Sequence, residues 1–220
     1  MSIFAERRSV RAFLDRPVEQ AQVADLLTKA RMAPSGANLQ PGRLIALTGA
    51  PFAALQSALA DAISAGRPMV SEYSYFPQPM PADLKARQRA AGYALYQALG
   101  IDKRDLDGRK AQFDKNYRFF DAPVGIVVTM RRDFGKGCWM DLGMALQTFL
   151  LAAHDAGLGA CGIGALANYG DVVSEALALP EHEVVVCGIA LGHPDMDAPV
   201  NQFRTERDAL DVFAEFRGFS

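Results

Sequence analysis

The sequence predicts one domain of mixed helix and strand, with a sheet covered on both faces. Two runs carry that expectation: Val124 to Met130 and Val184 to Leu191 are continuous, apolar and rich in β-branched residues, as in strands buried on both sides. The third observation is a series of segments with helical spacing that can cover such a sheet. At 220 residues, with 50% of them hydrophobic, the chain fits a single core.

The elements follow in order. Val18 to Met32 reads as a helix, with Val23, Leu26, Leu27 and Ala30 on one face. Pro17 suits its start, and Ala33-Pro34 stops it. Arg43 to Thr48 reads as a strand, and Pro51 to Ser64 as a helix with Phe52, Leu55, Leu59 and Ile63 as its stripe. Gly66 to Pro81 holds four prolines and a Tyr-Ser-Tyr-Phe cluster, which reads as a loop or lid. A helix over Asp83 to Leu99 and a shorter one over Leu106 to Tyr117 lead to the strand Val124 to Met130. Leu142 to Ala156 is a helix with Leu142, Ala145, Leu146, Phe149, Leu150 and Ala153 on most of its sides. That places it centrally or at a subunit interface. Gly157-Leu158-Gly159 ends it. Gly170 to Leu177 is a short helix, and Val184 to Leu191 is a strand closed by Gly192-His193-Pro194. The tail from Pro199 to Ser220 is polar, then carries Phe203, Phe213, Phe216 and Phe219. Those rings need a surface to dock on, and a partner subunit is the simplest.

Composition excludes several classes. A net charge of -2 does not suit a nucleic-acid binder. Cys138, Cys161 and Cys187 lie far apart, which argues against a disulfide framework or zinc site and for a reducing cytoplasm. The first eleven residues carry Glu6 and three arginines and no signal-type apolar run. Trp139 to Ala156 contains Asp141, Gln147, His154 and Asp155, too polar to span a bilayer. His154, His182 and His193 show no ligand spacing, so no metal is expected. His154 reads as a satisfied core histidine, and Cys161 as packing. No Gly-x-Ser-x-Gly is present, so a hydrolase elbow is not supported.

The remaining motifs point to a phosphorylated, planar ligand. Arg7, Arg8, Ser9 and Arg11 suit either a solvated helix start or a phosphate cradle; a second basic segment, Arg204 and Arg207, favours the cradle. Pro34-Ser35-Gly36-Ala37-Asn38-Leu39-Gln40-Pro41 suits either a simple turn or the polar edge of a heterocycle. Gly157 to Gly162 matches G-x-G-x-x-G, but a helix precedes it, so the dinucleotide reading fails. Its glycines instead let backbone pass close to a flat ligand.

Taken together, the chain resembles the FMN-dependent nitroreductase family. RRSVRAF, APSGANLQP, NYRFFDAPVGIVV, GLGACGIG, ALGHPD and NQFRTERDAL match in order along nearly the whole length. The resemblance implies an α+β fold: three α/β/α layers around a central, mostly antiparallel sheet, in an intertwined homodimer. It implies FMN as cofactor, with NADPH or NADH as reductant. The activity implied is ping-pong reduction of nitroaromatics, quinones or related small acceptors. Carried over residue by residue, Arg7, Arg8 and Ser9 hold the flavin phosphate and ribityl, and Arg11 faces the N1/O2 edge. Pro34, Ser35 and Gly36 belong to the loop lent by the second subunit, with Asn38 close by. Asn116 contacts the pyrimidine edge, and Ile163 and Gly164 lie near N5. Arg207 or Arg204 is the second phosphate arginine. The whole chain, 1–220, is then one domain, with 66–115 as a lid-like insertion and 199–220 as a tail on the partner. Two further readings stay open. One is a reductive dehalogenase of halotyrosines, with Glu72, Tyr73, Lys85 and Arg89 as a clamp. The other is a non-catalytic flavin-binding protein.

Overall fold

The computed structural model describes residues 2–70 and 72–219. Met1, Ser71 and Ser220, which the predicted domain, lid and tail include, lie outside the described residues. One turn of helix, α1 (Ile3–Glu6), is followed by an extended segment and α2 (Gln20–Ala30). Glu19 donates its N–H to the Gln22 side chain at 3.0 Å, which fixes the start of α2. Then come β1 (Arg43–Leu47), α3 (Gly49–Ser64), α4 (Ala82–Ala98), α5 (Leu106–Asp114), β2 (Val124–Arg131) and α6 (Lys136–Asp155). The chain ends through β3 (Gly159–Ile163), α7 (Gly170–Ala176), β4 (Glu183–Gly192), α8 (Pro199–Gln202) and α9 (Leu210–Phe213). Among the described residues, no helix is long and apolar enough to cross a membrane.

The sheet order is β1-β2-β4-β3, and every neighbouring pair is antiparallel. The two continuous apolar runs occupy its centre, as their burial on both faces requires. On one face Val124, Ile126, Val128 and Met130 meet α2 and α6 through Val23, Leu26, Leu142 and Phe149. On the other, Val127 and Ala190 meet α3 and α7 through Phe52, Leu55, Leu59 and Val173. Each large side chain so buried contributes roughly 1.5–3 kcal/mol. In β4 the buried face changes parity: Val184 and Val186 share a face with Ile189 and Leu191. The cause is a bulge, where Val128 pairs with Cys187 but Thr129 pairs with Val185. Gly125 is needed at the centre of β2, because a Cβ there would lie 2.2 Å from the Phe52 ring.

Two expectations are corrected and one element is added. The glycine run after α6 forms an edge strand, because Gly159 to Ile163 pairs with β4. Val10 also donates its N–H to the Ala160 carbonyl at 3.1 Å. The strand was missed because glycine has no side-chain pattern to read. His154 is not a core residue: its side chain is 32% exposed, with Nε2 3.8 Å from a Glu6 carboxylate oxygen. Helix α6 starts at Lys136 rather than Leu142, and buries Leu142, Phe149, Ala152 and Ala153 while leaving Met140 71% exposed. After α5 the chain turns tightly, with Phe119, Phe120 and Asp121 all at positive φ. Burial of both phenylalanines holds that costly backbone in place.

Candidate functional site

The N- and C-terminal segments are joined by one buried side chain, Asn201. Its Oδ1 accepts the Arg11 N–H at 2.7 Å, and its Nδ2 donates to the carbonyls of Ala12 at 2.8 Å and Asp195 at 2.7 Å. Its own carbonyl accepts from the Arg8 guanidinium at 2.7 Å. All of this side chain's main hydrogen-bonding capacity is satisfied at zero exposure. The consequence is a cavity of about 250 Å³ lined by Arg7, Arg8, Ser9 and Arg11 from one end of the chain and Arg204, Thr205 and Arg207 from the other.

Among the described residues, five guanidiniums line this cavity and no carboxylate does. Burial, and the nearness of Arg207 and Arg204, hold the Arg7 pKa below its usual range. Arg8 is lowered too, by burial and Arg204. Burial pushes the Cys161 thiol up, while Arg11, a bond to Ser9 and Arg7 pull against it. Like charges gathered this way form an anion site: guanidiniums and a hydroxyl are the donor set that suits a phosphate. Arg204 donates to the carbonyls of Ala5 and Glu6, the second at 2.9 Å, so it holds the end of α1. Arg207 folds back on Thr205 and Glu206. The Arg7 N–H donates to the Ile3 carbonyl at 3.0 Å, but its guanidinium makes no hydrogen bond among the described residues and is the one most available to a ligand.

The loop after α2 stands apart from this cavity. Ala37, Asn38 and Gln40 all have positive φ, at 50°, 57° and 47°. Three non-glycine residues in the left-handed region mark stored strain. Local bonds hold it: Gly36 donates its N–H to Asp141 at 3.1 Å, Ser35 Oγ accepts from the Gln40 N–H at 2.9 Å, and the Asn38 carbonyl accepts from the Gln40 side chain at 3.2 Å. Pro34 and Ser35 line a separate cavity of about 370 Å³ between α2, β1 and α6. No residue of this loop lines the cavity of Arg7, Arg8, Arg11, Arg204 and Arg207.

A third cavity, about 410 Å³, lies beneath the predicted lid. Its floor is Gly164, Ala165 and Ala167, and its walls include Tyr73, Tyr75, Phe76 and Phe113. Gly164 must be glycine for Tyr75 to sit where it does: a Cβ would lie 2.9 Å from the Tyr75 ring. Ile163, one residue before it, is buried in the sheet. The lid is pinned at several points. Tyr73 donates its hydroxyl to the Val186 carbonyl at 2.5 Å and packs on Trp139 at 4.8 Å between ring centres. Val70 donates its N–H to the Asn168 carbonyl at 2.8 Å. Arg67 pairs with Asp171 and Glu175 at 2.6 and 2.8 Å.

Two sets of expected residues are placed differently. Asn116 donates its amide to the Phe113 carbonyl at 2.7 Å and lines neither the arginine cavity nor the lid cavity. The halotyrosine clamp is not assembled: Glu72 pairs with Arg132 at 3.0 Å, Tyr73 is bonded to Val186, and Lys85 and Arg89 lie exposed on α4. Asn201 was missed in the sequence reading. A lone asparagine beside Pro199-Val200 carries no signal of burial; its only hint was its place in the NQFRTERDAL segment.

The chain is similar to known proteins along nearly its whole length. The Nitroreductase family model matches residues 4–193. The 4-nitrobenzoate reductase of Pseudomonas putida is 34% identical over 218 residues, covering 99% of this chain and 95% of that protein. The nitrobenzene nitroreductase of Ectopseudomonas oleovorans is 34% identical over 215 residues, covering 97% and 95%. Among solved structures, the FMN and NADPH-dependent nitroreductase NfnB of Sphigopyxis sp. strain HMH superposes with a TM-score of 0.96 at 40% identity, covering 99% and 98%.

Proposed function

The chain belongs to the nitroreductase family, and from that premise we propose that it is an FMN-dependent oxidoreductase that uses NADPH to reduce nitroaromatics. The observation that carries this reading is the arginine cavity. It gathers five guanidiniums and two hydroxyls with no carboxylate among the described residues, in a chain whose net charge is negative. That donor set fits the FMN phosphate, with Arg7, Arg8, Ser9 and Arg207 holding it and Arg204 bracing α1 behind. Bound FMN supplies the relay that accepts two electrons from the nicotinamide and passes them to the acceptor.

The chain's own residues bind, orient and exclude water. Asn201 fixes the Arg11 backbone, so the Arg11 side chain leaves the same segment that carries the phosphate ligands. The backbone at Gly164 forms the floor of the aromatic cavity, which is where the acceptor lies. One NADPH and one proton convert an aromatic nitro group to a nitroso group, with NADP+ and water released. Donor and acceptor use the same face in turn, so the kinetics are ping-pong.

The active form is a homodimer. The Pro34–Gly36 segment, just before the strained Ala37, Asn38 and Gln40, reaches the partner's flavin, since it lines no part of its own chain's arginine cavity. The tail, whose Phe213 and Phe219 are 87% and 82% exposed, docks on the partner. Residues 66–115 act as the lid. Three free thiols fit a cytoplasmic setting. Steady-state rates with varied NADPH and nitrobenzene test the reading. Parallel double-reciprocal lines with FMN-loaded protein support it, and absence of NADPH oxidation by that protein rejects it.

A further inference from the structure

The chemistry of the lid cavity narrows the acceptor class, on the reading that this cavity receives it. We infer that the acceptor is an uncharged aromatic, and that the enzyme discriminates against nitroaromatics bearing a carboxylate. Similarity does not decide this point, because two 4-nitrobenzoate reductases are 34% and 37% identical to the chain and a chloronitrobenzene and a nitrobenzene nitroreductase 35% and 34%.

The lining that this chain supplies favours an uncharged acceptor. Among the described residues, no lysine, arginine or histidine lines the cavity, and Glu72, with the same sign as a benzoate, is the charged group that does. Arg132, the cation beside Glu72, is already paired with it at 3.0 Å. Four aromatic rings make up much of the wall, and the faces of such rings are electronegative. The neutral polar groups are largely committed: Ser74 donates to the Phe76 carbonyl at 2.7 Å, and the Asn168 amide donates to the Tyr117 hydroxyl at 3.2 Å. A planar neutral molecule stacks here without loss. A carboxylate entering the cavity loses its water and gains no cation, which is strongly unfavourable. Gln78 and the Tyr75 hydroxyl are the exceptions among the polar groups, with side chains that make no hydrogen bond among the described residues, and Gln78 is the amide of the two. It offers a neutral donor that suits a nitro or carboxamide oxygen but does not balance a charge.

The test compares 4-nitrobenzamide with 4-nitrobenzoate, two molecules of nearly the same shape, using the FMN-loaded protein. The expected kcat/KM ratio favours the amide by about tenfold or more, equivalent to about 1.4 kcal/mol. A second readout needs no turnover. Trp139 is the chain's single tryptophan and packs on Tyr73 of the cavity wall. Titration with benzamide and with benzoate, which cannot be reduced, should perturb Trp139 emission at a concentration about tenfold lower for the amide. Gln78→Lys supplies the missing cation and should raise the 4-nitrobenzoate kcat/KM several-fold, with the amide nearly unchanged. Equal use of both substrates, equal binding of both ligands, or a Gln78→Lys preference identical to the parent's would overturn the inference alone. Failure to reduce either substrate would overturn the functional reading, and this inference with it.

Discussion

The arginine cavity and the aromatic cavity are built by opposite means. The first joins segments nearly two hundred residues apart in sequence through a buried asparagine, and it concentrates like charge that the free protein does not neutralise. The second is roofed by a loop without helix or strand, resting on the sheet through one tyrosine, one tryptophan and surface ion pairs. A permanent ligand suits the first, because its charge completes the site. An exchangeable one suits the second, because rings can part and close around different molecules at small cost. The lesson is that fixed and passing ligands call for different frames, and that perturbing one cavity should spare the other.

Breaking the clamp is expected to have the largest effect. Asn201→Leu leaves the part-buried Arg11 N–H and Asp195 carbonyl without their partner, each costing about 1–3 kcal/mol, while the Ala12 carbonyl keeps only the Asp195 N–H. Thermal unfolding should show a drop of several degrees, and FMN titration a loss of binding. Retention of FMN affinity would mean that Asn201 does not build the cavity.

Arg7→Ala should separate binding from stability. Loss of a charge-assisted contact of about 1.5–3 kcal/mol weakens FMN binding roughly 10- to 100-fold. Without FMN, the variant should melt no lower than the parent, because Arg7 is crowded by Arg207 and Arg204. Its FMN affinity should also depend less on salt. A variant that melts lower while binding FMN normally would place Arg7 in the frame rather than the site.

Tyr73→Phe acts on the other cavity. Removing the bond to Val186 should cost about 1 kcal/mol, raise the acceptor KM, shift Trp139 emission and leave FMN affinity alone. Burial holds the Tyr73 hydroxyl above its ordinary value of 10.0. Its contribution is therefore complete below about pH 10 and is lost as pH rises through the folded value. Trp139 emission followed against pH should report that loss in the parent and not in the phenylalanine variant. The smallest effect belongs to Glu72→Gln, which breaks an exposed pair with Arg132 and should change stability by less than about 1 kcal/mol.

The sequence was most legible where periodicity reports burial. The stripes of α2 and α3 lie inward as their spacing indicates, and the two β-branched runs are the central strands. It was least legible where the cause lies elsewhere in the chain. Gly159 to Ile163 becomes a strand because β4 is beside it, not because of its own residues. The arginines stand out in the sequence by their density, and the structure gathers them around one cavity, whereas Gly164 was named only through the family resemblance. Asn201 was not legible, because its role depends on three carbonyl and amide groups from distant segments. The commitment of Glu72 to Arg132, sixty residues away, was invisible for the same reason.

The central claim is that electrons pass from NADPH to an aromatic acceptor through FMN held by the arginine cavity. The most direct measurement is the visible absorbance of the FMN-loaded protein, mixed anaerobically with NADPH and then with nitrobenzene. The account predicts a yellow band that bleaches on the first addition and returns on the second. A protein that takes up no FMN, or a band that NADPH leaves unchanged, would contradict it.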